Sequence, residues 1–276
     1  MPGSTNRFMV IIPAREKSTR LPEKVLADIC GKPMIQHVYQ QACLSYASRV
    51  ILAVDGDKLA RSVKTFANDI ELTQATHPSG TSRLSEVTNR LITSGQIDAD
   101  DIIVNLQADE PFMPPAVINQ VAGLLLQRHS VDLASIYSHI SCRDELEATS
   151  VVKLVLEQHN YAICFSRASI PFVRSAPDDN PDQLIQSHIK AGLFKRHLGI
   201  YAYRARFLQH LPQLQHCAAA QSEQLEQLGF LYAGKRIIMA KAVKTVPHGV
   251  DTIEDLRQAR SYLQSQTRAV SPSGLK

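Results

Sequence analysis

Four cationic side chains lie within one short segment near the start of the chain: Arg15, Lys17, Arg20 and Lys24. The segment follows an apolar run and precedes a predicted helix. It therefore belongs at the carboxyl edge of a parallel sheet, where ligands bind in open α/β folds. Cations there would neutralise a triphosphate, with Arg15 and Lys24 as the favoured contacts. The segment is neither a Walker loop nor GxGxxG, and on charge alone a solvated basic surface is the preferred interpretation.

Two aspartates are candidate magnesium ligands. Asp109 stands in NLQADEP, where an apolar run ends, and Asp251 stands in HGVDT, directly before a predicted helix. Magnesium often takes only one or two carboxylates and fills its other positions with phosphate oxygens and water. Each motif also has an ordinary explanation, since Asp109 suits an acidic turn before proline and Asp251-Thr252 suits the start of a helix.

Three further positions carry weaker signals. The turn His77 to Arg83 contains glycine and enters a helix, so its backbone groups suit recognition of a base. Arg167, in FSRASIP, offers a guanidinium to an anion. His197 suits a hydrogen bond to a sugar or a proton transfer, although a lone histidine more often satisfies a structural hydrogen bond.

The elements that must position these residues have an alternating pattern. Apolar runs typical of buried strands are separated by helical periodicity, and Met34 to Ala47 is predicted as a crossover helix. Such alternation predicts an α/β fold with a largely parallel sheet. The predicted strands in this part are Phe8 to Ile12, Val50 to Val54, Ile102 to Leu106 and Leu133 to Tyr137.

The second half has strand-like runs without regular helices between them, which suggests a smaller inserted antiparallel lobe at about 140–210. Ala176 to Gln186, rich in Pro, Asp and Asn, is predicted to be an exposed loop. Thr252 to Ser265 is predicted as a closing helix capped by Thr252. We expect a single domain over 1–265 and a disordered tail over 266–276.

Composition limits the function classes. The 276 residues carry a net charge of +4, no Trp and scattered basic residues, so nucleic-acid binding is weakly supported. Five cysteines without a CxxC pair indicate reduced thiols. We expect a cytoplasmic protein without membrane insertion, because the first apolar run is too short for a signal peptide and no window approaches the length of a membrane span.

Taken in order, the motifs resemble the 3-deoxy-manno-octulosonate cytidylyltransferases over approximately Phe8 to Leu263. The resemblance implies a Rossmann-like nucleotidyltransferase fold, an inserted dimerisation and sugar-binding lobe, and a homodimer. It also implies Mg2+, CTP and an acidic 3-deoxy sugar, which react to give CMP-sugar and pyrophosphate for lipopolysaccharide biosynthesis. The motifs are IIPAR, STRLP, GKPMIQHV, HPSGT, VNLQADEP, FSRASIP, HLGIYAYR, EQLEQL and GVDTIEDL.

The resemblance also implies roles for individual residues. Catalytic roles fall to Arg15, Lys24 and Asp109, and metal binding falls to Asp109 and Asp251. The implied nucleotide contacts are Ala14, Arg15, Lys24, Ser79, Gly80, Arg83 and Gln107. The implied sugar contacts are Gln107, Arg167, His197, Tyr201, Glu223 and Gln227.

The phosphate segment departs from the family pattern at three positions. Glu16 and Lys17 replace an aromatic and a small residue, and Glu23 replaces glycine. A carboxylate there repels triphosphate unless Lys17, Lys24 or metal compensates, and the loss of glycine restricts the backbone. These departures suggest a divergent member that is selective for a modified sugar such as an 8-amino analogue.

Two alternatives to that activity follow from the same residues. One is a non-catalytic nucleotide-binding protein that kept the fold, for which Glu16 and Glu23 are the main support. The other is a cytidylyltransferase for a different acidic sugar, such as a sialic or pseudaminic acid. The sugar itself does not follow from sequence, because its selection depends on the shape of the pocket.

Overall fold

A computed structural model of the chain describes residues 8–16, 21–176, 180–214 and 217–270. The strands are β1 (Phe8–Ala14), β2 (Asp28–Ile29), β3 (Lys32–Pro33), β4 (Arg49–Val54), β5 (Ile70–Leu72), β6 (Ile102–Asn105), β7 (Leu133–His139), β8 (Lys153–Leu156), β9 (Ala162–Ser166), β10 (Lys195–Arg204) and β11 (Ile237–Lys241). The helices are α1 (Met34–Cys43), α2 (Asp57–Val63), α3 (Gly80–Thr93), α4 (Pro115–Leu126), α5 (Arg143–Glu147), α6 (Pro181–Lys190), α7 (Ala205–His210), α8 (Ala218–Glu223), α9 (Glu226–Tyr232) and α10 (Ile253–Val270). Two short 3-10 helices span Lys24–Leu26 and Leu211–Gln213.

The central sheet has the strand order β11-β7-β10-β6-β1-β4-β5. The pairs β11/β7, β6/β1, β1/β4 and β4/β5 are parallel, whereas β10 is antiparallel to both β6 and β7. The predicted α/β class with a mostly parallel sheet is confirmed. Because β1 and β6 are adjacent and parallel, the loops that follow them meet at one edge of the sheet.

Both faces of the sheet are covered, so β1 is buried along its whole length. Val10 and Ile12 belong to one core with α1 and α4, while Met9 and Ile11 belong to the other with α3 and α7. Alternate side chains of a strand point to opposite faces, which explains why β1 reads as a continuous apolar run.

The segment 140–210 contains a smaller antiparallel region. The hairpin of β8 and β9 pairs through β8 with the start of β10, so this region is continuous with the main sheet. It also has a small core of its own, formed by Ile140, Leu146, Ile189 and Phe194. Further along, β10 crosses the centre of the main sheet between β6 and β7.

The predicted loop Ala176 to Gln186 is wrong in its second half, because α6 begins at Pro181. The Asn180 side chain accepts hydrogen bonds from the backbone N–H groups of Asp182 (3.0 Å) and Gln183 (3.1 Å). Asn at the N-cap followed by Pro at the first helical position is a helix-start signal. The same polar residues that indicate a loop here begin a helix.

The predicted helices differ from the observed ones mainly at their ends. The helix that starts at Met34 ends at Cys43, and the closing helix continues to Val270, into the segment expected to be disordered. Residues 271–276 of that segment lie outside the described residues. Within the described ranges, no helix is long and apolar enough to cross a membrane.

Candidate active site

Lys24 lies between the two aspartates predicted to hold metal. Its ammonium donates hydrogen bonds to Asp109 Oδ2 and to Asp251 Oδ1, each at 2.8 Å. Burial lowers the pKa of Lys24, but the two carboxylates raise it by more, so the net shift is upward. The lysine side chain is 13% exposed. A protonated lysine therefore joins the loop after β1, the turn after β6 and the loop before α10.

The loop that carries Asp251 packs directly on the turn that carries Asp109. The backbone N–H of Val250 donates to the Asp109 carbonyl at 2.8 Å. A Cβ at Gly249 would lie 3.0 Å from Glu110 Oε1 and 3.1 Å from that same carbonyl. Only glycine allows such a close approach without displacement of a neighbour. Gly249 thus permits the two aspartates to converge.

Thr252, the residue that follows Asp251, caps the start of α10, as predicted. Thr252 Oγ1 accepts from the backbone N–H of Asp255 at 3.2 Å, and the Asp255 carboxylate accepts from the Thr252 N–H at 2.8 Å. This reciprocal capping fixes the start of the helix. The two tasks do not conflict: Thr252 caps the helix, and the carboxylate of Asp251 contacts Lys24.

The donor set fits magnesium. Asp109 and Asp251 both reach one cationic nitrogen, and a magnesium ion bound with phosphate usually takes one or two carboxylates. Beside them, burial and the Asp109 carboxylate raise the pKa of Glu110 to about 8, against the opposing effect of Arg196. Among the described residues, no group of three or more His, Cys, Asp or Glu side chains is arranged to hold a metal ion.

The start of α3 forms a second part of the site. Ser79 caps the helix by accepting from the Ser82 N–H at 3.1 Å, and Ser82 Oγ accepts from the Ser79 N–H at 3.2 Å. A Cβ at Gly80 would lie 3.1 Å from both Gln107 Oε1 and Pro13 Cγ. The positively polarised helix start therefore lies against the ends of β1 and β6, next to the strand end that carries Ala14.

Arg83 is fully buried beneath this helix start. Its Nη2 lies 3.6 Å from Asp55 Oδ2, and its Nη1 donates to Thr73 Oγ1. Within the described part of the chain, its Nε and Nη2 have no hydrogen-bond partner. Burial lowers the pKa of Arg83, Asp55 opposes this shift and Arg15 adds to it. A buried guanidinium with donors to spare is suited to a polar ligand atom.

Arg167 and Glu223, both predicted to contact sugar, contact each other. The Glu223 carboxylate accepts from the Arg167 backbone N–H at 2.6 Å and from Ser166 Oγ at 2.7 Å. The Arg167 side chain donates to the carbonyls of Glu223 (2.7 Å) and Thr149 (2.9 Å). These bonds join the end of β9 to α8 and place both residues on one wall.

His197 and Tyr201 lie four residues apart on β10, and the strand has an irregular register between Leu198 and Tyr201. The centroids of the His197 and Tyr201 rings are 5.2 Å apart. Ser135 Oγ is 2.9 Å from His197 Nε2. Burial, together with the Arg196 guanidinium, lowers the pKa of His197 to about 3, which leaves the imidazole neutral at physiological pH. A neutral imidazole suits hydrogen bonding better than donation of a proton.

Two buried polar side chains complete this wall. The Tyr201 hydroxyl is buried without a hydrogen-bond partner in the described chain, and Gln227 on α9 is 6% exposed. Tyr201 pairs in register with Asn105, whose side chain accepts from Gln107 Nε2 at 2.9 Å. The predicted sugar residues therefore adjoin the predicted nucleotide residues across β6.

Most of the predicted residues thus fall into three adjoining groups at one sheet edge. Arg15 follows β1 directly and is close enough to affect Arg83. Lys17 and Arg20 lie outside the described residues. Sequence reasoning missed Asp55 and Glu226; the latter accepts from Thr81 Oγ1 at 2.6 Å. A signal for Glu226 was present, because it is the second carboxylate of EQLEQL and follows the predicted Glu223 by three residues.

A mostly parallel sheet with a cationic loop after its first strand and converging carboxylates at the next strand end defines an α/β nucleotidyltransferase. A family model described as Cytidylyltransferase matches residues 9–237. A 3-deoxy-manno-octulosonate cytidylyltransferase from Pseudoalteromonas translucida is 46% identical over 259 residues, which are 94% of this chain and 98% of the relative. The chain belongs to the 3-deoxy-manno-octulosonate cytidylyltransferase family.

Other relatives agree in length and name. The 3-deoxy-manno-octulosonate cytidylyltransferase 2 of Actinobacillus pleuropneumoniae is 44% identical over 261 residues, covering 94% of this chain and all of the relative. A solved structure of CMP:2-keto-3-deoxy-manno-octonic acid synthetase, complexed with CTP, has a TM-score of 0.81 at 34% identity. The match covers 94% of this chain and 99% of that one.

Proposed function

We propose that this protein transfers CMP from CTP to 3-deoxy-manno-octulosonate, releasing pyrophosphate and forming the CMP-sugar for lipopolysaccharide biosynthesis. The observation that carries the proposal is the convergence of Lys24, Asp109 and Asp251 beside the capped start of α3. A nucleotidyl transfer needs cations at the triphosphate, carboxylates for a metal and a polar cradle for the base. Residues suited to all three tasks lie at one sheet edge, and relatives named for this reaction match the chain over nearly its whole length.

The cations act on the phosphates. The Lys24 ammonium has three N–H groups and gives two of them to the aspartates, so the third is available to a phosphate oxygen. Arg15 follows β1 at the same edge and adds a second charge. As the sugar's anomeric hydroxyl attacks the α-phosphorus in line, these residues stabilise the negative charge on the departing pyrophosphate.

Asp109 and Asp251 would hold Mg2+, which supplies Lewis-acid polarisation of phosphate oxygens when it is bound. The two carboxylates face the single positive charge of Lys24, so a net negative charge remains at this place to attract a metal cation. Burial and the Asp109 carboxylate raise the pKa of Glu110, which lies beside them.

Nucleotide selection falls to the start of α3. Ala14, Ser79, Gly80 and Arg83 line the position proposed for cytidine, and the spare donors of Arg83 suit the acceptor atoms of a cytosine base. Sugar selection falls to the wall formed by Arg167, His197, Tyr201, Glu223 and Gln227, with Gln107 between the two substrates. The positive charge of Arg167 suits the carboxylate of an acidic sugar.

The non-catalytic alternative has lost its main support. It rested on Glu16 and Glu23, and both carboxylates lie against the ammonium of Lys58. The retained Lys24, Asp109 and Asp251 form a connected site instead of a degraded one.

The experiment is pyrophosphate release from CTP and Mg2+ with 3-deoxy-manno-octulosonate, its 8-amino analogue and N-acetylneuraminate as separate acceptors. We expect release with 3-deoxy-manno-octulosonate that is abolished by EDTA and restored by excess Mg2+. Faster release with the 8-amino analogue would support the proposed reaction and would replace 3-deoxy-manno-octulosonate by its analogue as the acceptor. Confirmed CTP binding without release of pyrophosphate in the presence of any acceptor would reject the proposed function.

A homodimer in the cytoplasm is the assembly and location that we propose. The lobe exposes large apolar side chains near the edge strand β9, with Ile163 at 57% and Phe172 at 87% exposure, which favours burial against a second copy. All five cysteines are free thiols, as a reducing compartment would require. Sedimentation equilibrium and cell fractionation test these two points, and a monomeric mass or an exported pool would contradict them.

A further inference from the structure

Two carboxylates of the phosphate segment, Glu16 and Glu23, meet at one lysine on a neighbouring helix. Lys58 Nζ forms an ion pair with Glu23 Oε1 and lies 3.9 Å from Glu16 Oε1. Lys58 belongs to α2, which is far in sequence from Lys24 but packs beside the phosphate loop. Glu23 is the direct neighbour of Lys24, so its charge acts at the triphosphate position.

The surrounding backbone holds the two acids toward Lys58. The Glu16 N–H donates to Asp55 Oδ1 at 2.9 Å, which ties the loop to the turn before α2. A Cβ at Gly56 would lie 3.1 Å from Glu16 Oε2, so a larger residue there would crowd this carboxylate. Glu23 adopts a left-handed backbone with φ of 51°, and its carbonyl accepts from the Leu26 N–H at 2.8 Å.

We propose that Lys58 is a positioning residue of the transferase, which neutralises Glu23 and Glu16 so that triphosphate can bind beside Lys24. This inference rests on the proposed function. Without Lys58, an uncompensated carboxylate would stand next to the phosphate-binding lysine and repel each charged oxygen of CTP. With Lys58 in place, the negative charge of Glu23 beside Lys24 is compensated, and Lys24 can bind phosphate without an opposing carboxylate.

The effect concerns substrate charge more than protein stability. Lys58 and Glu23 have side chains that are 54% and 55% exposed, and an exposed ion pair contributes little to folding. CTP carries several negative charges, so each of them senses the local potential of the loop. The influence of Lys58 should therefore be seen in CTP binding and should weaken at high ionic strength.

The test is a double-mutant cycle with Lys58→Met, Glu23→Gln and both changes together. We measure kcat and KM for CTP with the accepted sugar, and CTP affinity by calorimetry, at low and high salt. We expect Lys58→Met to raise KM and Kd for CTP roughly fivefold at low salt, with kcat little changed. Glu23→Gln alone should leave both at or below the wild-type value, and the double variant should recover most of the loss.

The matched control is Lys64→Met, which removes the same charge from an exposed lysine at the far end of α2. It should leave CTP binding within twofold of wild type at either salt concentration. Circular dichroism and thermal unfolding confirm that each variant is folded.

Three results would overturn the inference. Equal losses in both single variants and in the double variant would mean that the pair only braces the loop. Unchanged CTP affinity in Lys58→Met would mean that the pair is irrelevant to substrate, and an equal loss in Lys64→Met would mean that only overall charge matters. If the wild type binds CTP but transfers CMP to no sugar, the proposed function fails, while calorimetry still decides the role of Lys58 in CTP binding. If the wild type binds no CTP, both proposals fail.

Discussion

The Lys24 ammonium lies 2.8 Å from Oδ2 of Asp109, a residue 85 positions later in the chain. One is the favoured phosphate contact and the other the favoured metal ligand, so the pair joins the two halves of the proposed chemistry. The lysine side chain is mostly buried and its pKa is raised, so its ammonium stays protonated beside the two carboxylates at neutral pH.

Asp109→Asn should abolish turnover while the protein stays folded. The change removes one negative charge from the metal position, and loss of metal-dependent stabilisation should cost at least about a hundredfold in kcat. Pyrophosphate release as a function of Mg2+ concentration is the measurement, with Asp98→Asn, at an exposed acid remote from the site, as the control. A wild-type magnesium-dependent rate would make the assignment of Asp109 wrong.

Lys24→Met should chiefly weaken the handling of triphosphate. Loss of a charge-assisted hydrogen bond to phosphate is worth enough to raise KM for CTP by roughly tenfold or more. Initial rates across CTP concentrations, at saturating sugar, measure this effect, and Lys64→Met serves again as the charge-matched control. An unchanged dependence on CTP would reject the phosphate-binding role.

Gly249→Ala should lower both stability and activity, because the new Cβ would meet Glu110 and the Asp109 carbonyl at 3.0 and 3.1 Å. We expect a loss of about 1–3 kcal/mol in the free energy of unfolding, together with reduced turnover as Asp251 shifts. Gly123→Ala is the matched control: no atom lies within 4 Å of its Cβ position in α4, so it should stabilise by about 0.5–1 kcal/mol. Thermal and denaturant unfolding compare the two, and wild-type behaviour of Gly249→Ala would contradict the close packing.

Glu223→Gln should affect the sugar more than the nucleotide. The carboxylate accepts two hydrogen bonds, from Arg167 N–H and Ser166 Oγ, and an amide cannot accept at both oxygen positions. We expect KM for the sugar to rise roughly tenfold or more while KM for CTP stays within twofold. The CTP value is the internal control; a parallel rise in both constants would indicate a general disturbance of the fold.

Protonation of His197 should destabilise the protein in acid. Its pKa is lowered from 6.5 to about 3 by burial and Arg196, so below pH 6.5 the unfolded chain binds a proton that the folded protein does not. His197 therefore costs no folding stability above pH 6.5, and its cost in free energy of unfolding grows as the pH falls from 6.5 toward 3. The free energy of unfolding, measured with denaturant between pH 7 and pH 4, should fall less steeply with pH in His197→Gln than in wild type. The difference in slope should correspond to the uptake of up to one proton on unfolding. Identical slopes in the two proteins would contradict the lowered pKa.

The strands of the sheet were predictable from the sequence, because a strand that is buried on both faces is a continuous apolar run bounded by polar turns. Sequence reasoning placed Asp109 and Lys24 at the same edge because each lies in a segment that follows such a run, and parallel strands place their following loops at one edge. The structure brings the two side chains together. Ala176 to Gln186 shows the limit of this approach. Asn180 and Pro181 are common in loops and equally common at helix starts, and the packing of Ile189 in the lobe's small core favours the helix.

By itself, the sequence determined the α/β class, the order of the motifs and the residue types that reach the site. The tertiary structure decided which charges meet: Lys24 with both aspartates, Arg83 with Asp55, and Glu23 with Lys58. The reason is physical. Strand and helix periodicity is a local property of the chain, whereas an ion pair between distant residues depends on loop approach and on the register of adjacent strands, which only the folded chain fixes.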